Sequence, residues 1–371
     1  MVLNAEYGQL EQLPFDLRPR RCIRYRTSKD SADRASIRRE LEQSLVRALR
    51  AILSDLDATE AKEASQPSLA EQAQAAVIAN EVRQTALVRE YMSDLASRLA
   101  AMTPTLPPNE PDRRDELLLQ AIAESTGIVI EFAHLSKPIA LANAADAARI
   151  MYKGLEGILD LYTFPPGFNR PLVEYEHDLA KFLGHELLVT FISFLIGEER
   201  WELIADLLEE DLYARATDFG PRRAVPFHYL AQSVSFLYER NQRLRLNRVS
   251  LHLDLLAERH RQGDLATLVP IDQFVEADYF LYLRAQLQEP PHETPVWAPW
   301  GVRCMNQPPR YLHEACRTKY AQRLLRPLGA DDIPTLRAGL QKCAAVIARW
   351  AGSFFWQFPL VEFDYNTIGS R

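Results

Sequence analysis

Along residues 175–213, Leu179, Phe182, Leu183, Leu187, Phe191, Phe194 and Leu195 fall on one side of a 3.6-residue period, and the stripe resumes at Trp201, Ile204, Leu208 and Leu212. The pattern predicts two long helices folded back on each other, each the other's nearest apolar partner. Gly197 stands where a helix stops in a left-handed turn, and Glu198 and Glu199 are placed for the first turn of the next helix, where negative charge suits the dipole.

The same period governs most of the chain. Ile37, Leu41, Leu45, Leu49 and Ile52 predict a helix capped by Ser31 or Asp33. Residues 68–102 hold neither Gly nor Pro and read as one long helix opened by Pro67 and Ser68. Residues 103–111, TPTLPPNEP, form a rigid proline-rich joint and the expected organisational boundary. Helix resumes over 112–132, breaks over 134–142 at Pro138, and runs again from Asn143 or Asp146 to about Tyr162. A loop is expected at 219–226, then helices at 227–239, 243–261 (ended by Gly263 and Asp264), 271–287, 310–326 and 331–350, and an aromatic tail at 354–363. Between these, residues 289–309 form a long loop with six prolines and two tryptophans. The reading is a mainly α chain: an array of helical hairpins without a fixed repeat period. Its expected parts are a strand and helix at 1–56, a long helix and linker at 57–111, and a helical domain at 112–371.

The N-terminal part differs. Residues 22–25 alternate like an edge strand with no sister strands, and residues 1–50 carry 11 Lys/Arg against 7 Asp/Glu in a chain whose net charge is -7. Asn4-Ala-Glu-Tyr-Gly8, then Leu13-Pro-Phe-Asp-Leu-Arg18, then Arg21-Cys-Ile-Arg-Tyr25 and the helix after it resemble the closing segment of bacterial Toll/interleukin-1-receptor-like and related nucleotide-processing or nucleotide-sensing domains. In those flavodoxin-like domains such a turn introduces the last strand. The resemblance covers residues 4–53. It implies that the earlier strands, the phosphate-binding loops and the acidic residue used on the nicotinamide riboside belong upstream of Met1, in a longer effector protein, so no active-site residue transfers to this chain.

Composition narrows the chemistry. At 371 residues and 47% hydrophobic, the chain can bury a sizeable core. Its acidic balance makes a nucleic-acid partner a poor expectation. Cys22, Cys304, Cys316 and Cys343 are widely spaced and fit reduced thiols of a cytoplasmic protein. The longest uninterrupted apolar run, 187–196, is about half a membrane span, so no membrane is expected. There is no GxxxxGK[ST], no strand-associated GxGxxG and no GxSxG, and His185-Glu186 lacks the second histidine of HExxH. No catalytic residue, cofactor or metal is therefore assigned.

The favoured reading is a helical sensor or interaction module of a bacterial defence-type effector, with a protein partner: a second copy or an effector chain. Trp297, Trp300, Arg303 and Arg310 are its candidate partner contacts, with a role for the tryptophans in capping the core as the alternative. The competing reading is a stand-alone enzyme with His177, His185, Glu186 and the row Arg240, Arg243, Arg245 and Arg248 as candidates.

Overall fold

A computed structural model describes residues 2–4, 23–25, helical positions between 38 and 49, and then 67–107, 109–164, 175–215, 220–288, 296–352 and 362–371. The chain divides into two compact units, Met1–Pro67 and Ser68–Arg371.

In the first unit, β1 (Val2–Asn4) and β2 (Ile23–Tyr25) pair in parallel, with Leu3 opposite Arg24. The strand expected at 22–25 is there, but it does have a sister strand, which the sequence reading lacked. Arg38, Arg39, Leu41 and Leu45 are helical, as their spacing predicts. The motif at 13–18 lies outside the described residues.

The second unit is mainly α. Ser68 opens α1 (Leu69–Ile78) through a reciprocal cap: its Oγ accepts from Glu71 N and its own N–H donates to Glu71 Oε2. The expected single helix over 68–102 is broken by Asn80 in the left-handed conformation (φ 51°), a role asparagine tolerates, so α2 begins afresh at Gln84–Met102. Both helices belong to the larger unit, where α1 packs on α4 (Thr126–Ala142) and α2 on α5 (Ala145–Leu159). The expected boundary at 103–111 is thus a turn within that unit. Gly154 makes the closest of these approaches, since a Cβ there would lie 2.5 Å from Met92 Cβ.

Next come α3 (Pro111–Glu124), α4 (Thr126–Ala142) and α5 (Ala145–Leu159). The helix break expected at 134–142 does not occur. α4 runs through Pro138 because Leu135, Ser136, Pro138 and Ile139 are all buried, and packing overrides the lost N–H; Asn143, left-handed at φ 51°, ends it instead.

The central hairpin is α6 (Asp178–Gly197) and α7 (Trp201–Glu209). Its turn uses Glu199 rather than Gly197 as the left-handed residue (φ 52°), and only Glu202 supplies negative charge in the first turn of α7. Between Asp178 and Ile196 every residue of α6 except Lys181 is buried. The helix has no single apolar stripe: α11 (Ile271–Gln288) and α4 are its main neighbours, with α5, α3 and α7 completing the sheath. By length and composition α6 could cross a bilayer, yet here 94% of its apolar window is covered by protein.

After α7, Leu212–Arg215 (β3) and Arg222–Val225 (β4) form an antiparallel pair with Leu212 and Val225 facing the core, where the sequence predicted the end of the helical stripe at Leu212 and a loop at 219–226. The stretch expected to be helical from 227 becomes a 3-10 turn at Phe227–Leu230 and then α8 (Ser235–Arg243). The helix expected at 243–261 is shorter. A bend with Arg245 and Asn247 at positive φ precedes α9 (Leu251–Arg259), whose cap Ser250 accepts from Leu253 N at 3.1 Å. Asn241 braces the bend by bonding both the N–H and the carbonyl of Arg248. Gly263 opens α10 (Gly263–Leu268), and α11 follows as predicted. A 3-10 turn at Trp300–Cys304 leads to α12 (Arg310–Glu314), α13 (Thr318–Leu328) and α14 (Ile333–Gly352). The expected helix over 310–326 is interrupted where Gly369 N–H and Arg371 N–H bond the carbonyls of Ala315 and Cys316.

Candidate functional site

An all-round buried helix gives every polar side chain on it a desolvation cost, which must be offset by a partner. Two neighbours on α6, His185 and Glu186, point about 100° apart and meet different partners.

His185, 2% exposed, faces Asp278 on α11, itself 1% exposed. The Asp278 carboxylate collects three donors: His185 Nε2 at 3.1 Å and Trp297 Nε1 at 2.8 Å on Oδ1, and Gly301 N–H at 2.9 Å on Oδ2. Glycine is needed at 301, because a Cβ there would stand 2.8 Å from Asp278 Oδ2 and 2.9 Å from Val275 Cγ1. Nε2 of His185 faces Asp278, and Nδ1 is buried without a partner.

His252, on α9, sets its ring edge-on to His185 with centroids 5.1 Å apart and packs against Phe182 at 4.8 Å. Burial first, and then the neighbouring His185, push its pKa well below 6.5, so it is neutral; its Nε2 is also buried without a partner. Both imidazoles line one cavity of about 280 Å³ between α6, the start of α8, the 249–252 stretch and the strap at 296–298. Ser233, Asn241 and Ser250 add polar groups, and Val234, Leu237 and Val296 give apolar wall. Among the described residues no Asp, Glu, Lys or Arg lines it.

Glu186 turns toward α9. Its Oε1 accepts from Arg259 Nε at 2.9 Å and lies 3.4 Å from His260 Nε2. Burial alone would raise its pKa, but the charges and hydrogen bonds of Arg259 and His260 outweigh it and hold the carboxyl below its ordinary value. Arg259 also donates to the Ile122 carbonyl and to Ser125 Oγ, and His260 Nδ1 pairs with the Val269 carbonyl at 2.8 Å. This set ties α6 to α9 and to the junction of α3 and α4. It is a brace.

The structure therefore separates the enzyme candidates. His177 is apart from the cavity, with Nδ1 2.9 Å from the Leu161 carbonyl and its ring against Phe164 at 4.3 Å. The arginine row is split by the bend after α8. Arg240 and Arg243 pair with Asp115, Arg243 also with Asp112, and Arg248 makes a two-point contact with Asp254 at 2.7 and 2.8 Å. Arg245 sits in the bend itself. Among the candidate partner contacts, Trp297 has no exposed surface and spends its indole N–H on Asp278, so it caps the core and offers no anchor to a partner. Trp300 opens the 3-10 turn that carries Gly301. Arg303 and Arg310 are exposed, with the Arg310 N–H bonded to Glu276 Oε1.

Sequence reading missed Asp278 and His252. The available signal was an acid directly before the apolar run of α11, Asp278 in VEADYFLYL, and a histidine on the buried face of α9. Among the described residues no three His, Cys, Asp or Glu side chains stand together to hold a metal, and Cys304, Cys316 and Cys343 are free thiols. No family model matches the chain, and neither a curated protein nor a solved structure matches it.

Proposed function

We propose that the helical unit 68–371 is a sensor module that takes a small molecule into the cavity floored by His185 and His252. One observation carries this reading: a cavity of about 280 Å³ is lined by both imidazole rings and by Ser233, Asn241 and Ser250, with apolar wall beside them. The resemblance over residues 4–53 supplies the setting: the sensing part of a bacterial defence-type effector in the cytoplasm, with its effector domain in a longer protein or on a partner chain. Tyr238, an exposed side chain of α8 that lines the cavity, is a surface through which occupancy could reach a protein partner.

The second reading is an enzyme, favoured by the way Asp278 orients His185 as a base orienter would. Of the lining hydroxyls, Ser250 is engaged in capping α9. Purified full chain incubated with ATP and NAD, followed by chromatography, separates the two. The sensor reading expects both compounds to remain intact. Turnover abolished by His185→Ala would establish the enzyme.

A further inference from the structure

We infer that a second cavity, between α11, α12, α14 and the C-terminal stretch 362–365, binds a small molecule through an alkylated ammonium group. It shares no lining residue with the cavity at His185 and stands apart from the function proposed there. Its volume is about 460 Å³. Three aromatic residues, Tyr279, Phe363 and Tyr365, line it together with two acids, Glu362 and Asp364, and the aliphatic wall includes Val302 and Ile347. Among the described residues neither Lys nor Arg lines it, and His313, which packs edge-on to Phe363, is not a lining residue either.

The aromatic side is held in place before any ligand arrives. The hydroxyls of Tyr279 and Tyr365 lie 3.1 Å apart, and Phe363 meets Tyr365 edge-on with centroids 5.2 Å apart. Asp364 caps the 3-10 turn Tyr365–Thr367 by accepting from Asn366 N, and Gln341 of α14 donates to Asn366 Oδ1 at 2.9 Å. Gly369 N–H then ties the end of the chain to the Ala315 carbonyl at 2.7 Å. Glu362 and Asp364 are exposed, and neither is paired with a cation among the described residues.

This lining fits one charge class. An anion would meet two acids and the negative faces of the rings. A bare ammonium is strongly hydrated, and an apolar wall returns little for the water it loses. An alkylated ammonium spreads its charge over methyl groups, which pack on aromatic faces and on aliphatic wall while the acids supply the countercharge.

The test uses three probes of one shape: choline, its neutral isostere with tert-butyl in place of trimethylammonium, and the carboxylate obtained by oxidising that alcohol. Full-length protein with 13C-methyl methionine is titrated with each at about pH 7.5. The resonance followed is that of Met305, a lining residue, assigned through Met305→Leu. Choline is expected to shift it saturably, with the neutral alcohol at least about tenfold weaker and the carboxylate weaker again. The double variant Glu362→Gln, Asp364→Asn keeps a capping side chain at residue 364 and should bring choline down to the level of the alcohol. Equal binding of choline and the alcohol, or unchanged choline binding in the double variant, would overturn the charge assignment. No response of Met305 to any of the probes would overturn the site itself.

Discussion

Asp278 is the residue on which the site depends. Three buried groups donate to one carboxylate, and removing it strands all of them. Asp278→Ala should destabilise the unit by about 3–5 kcal/mol in a denaturant melt; a loss under about 1 kcal/mol would mean that the strap at 296–301 is held by other contacts. His252 sets a pH dependence. Its folded pKa lies below its unfolded value near 6.5, so the fold favours the neutral ring. The resulting stability is fully present above that value and is lost as pH falls through it toward the folded pKa. Lowering pH from about 7.5 to about 5.5 should therefore reduce the melting temperature of the wild type more than that of His252→Gln. Equal slopes would place the proton uptake elsewhere. Glu186 acts in a lower window, because its depressed pKa adds stability that persists above about 4.5 and disappears below it.

At the scale of elements, residues with one dominant job were the easiest to read in the sequence. Pro67 and Ser68 marked a helix start, and α6 and α11 lie close to their predicted limits. The breaks at Asn80 and Arg245 were not legible, because both residues lie in sequences that could equally continue a helix, while at the hairpin Gly197 marked the break and only the left-handed residue, Glu199, differed. The sheath around α6 was hidden for a different reason: a pattern apolar on nearly every face has no preferred partner, and the nearest hairpin arm was taken for the whole of it. His185 was visible as a candidate, but its partner lies 93 residues away and its role appears only when α6 and α11 meet.

Phe191 tests that packing. It is fully buried in α6 and meets Phe132 of α4 edge-on, with centroids 6.4 Å apart, so Phe191→Ala should cost about 3–5 kcal/mol. Glu209→Ala, which removes an exposed partner of Arg326, should cost less than about 1 kcal/mol. If the two variants melt alike, the sheath is misplaced. The β1–β2 pair is at the opposite extreme. Two three-residue strands are marginal, so amides of Ile23–Tyr25 should exchange faster than those of 187–194, and equal protection would require further pairing for β2.

On the scale of the whole molecule, the apolar surface expected to drive self-association is largely consumed. The faces of α1 and α2 are buried through Ala73, Val77, Val88, Leu95 and Leu99, leaving Ile78 and Val82 exposed near the turn, and Trp297 is inside. What the fold keeps open is the cavity lined by His185 and His252. The proton on His185 Nε2 decides whether Asp278 holds three donors or two. Long-range 15N–1H correlation of the histidine side chains at about pH 7.5 reads it directly. His185 is expected to carry a proton on Nε2, the atom that faces Asp278; a ring protonated on Nδ1 alone would contradict that contact.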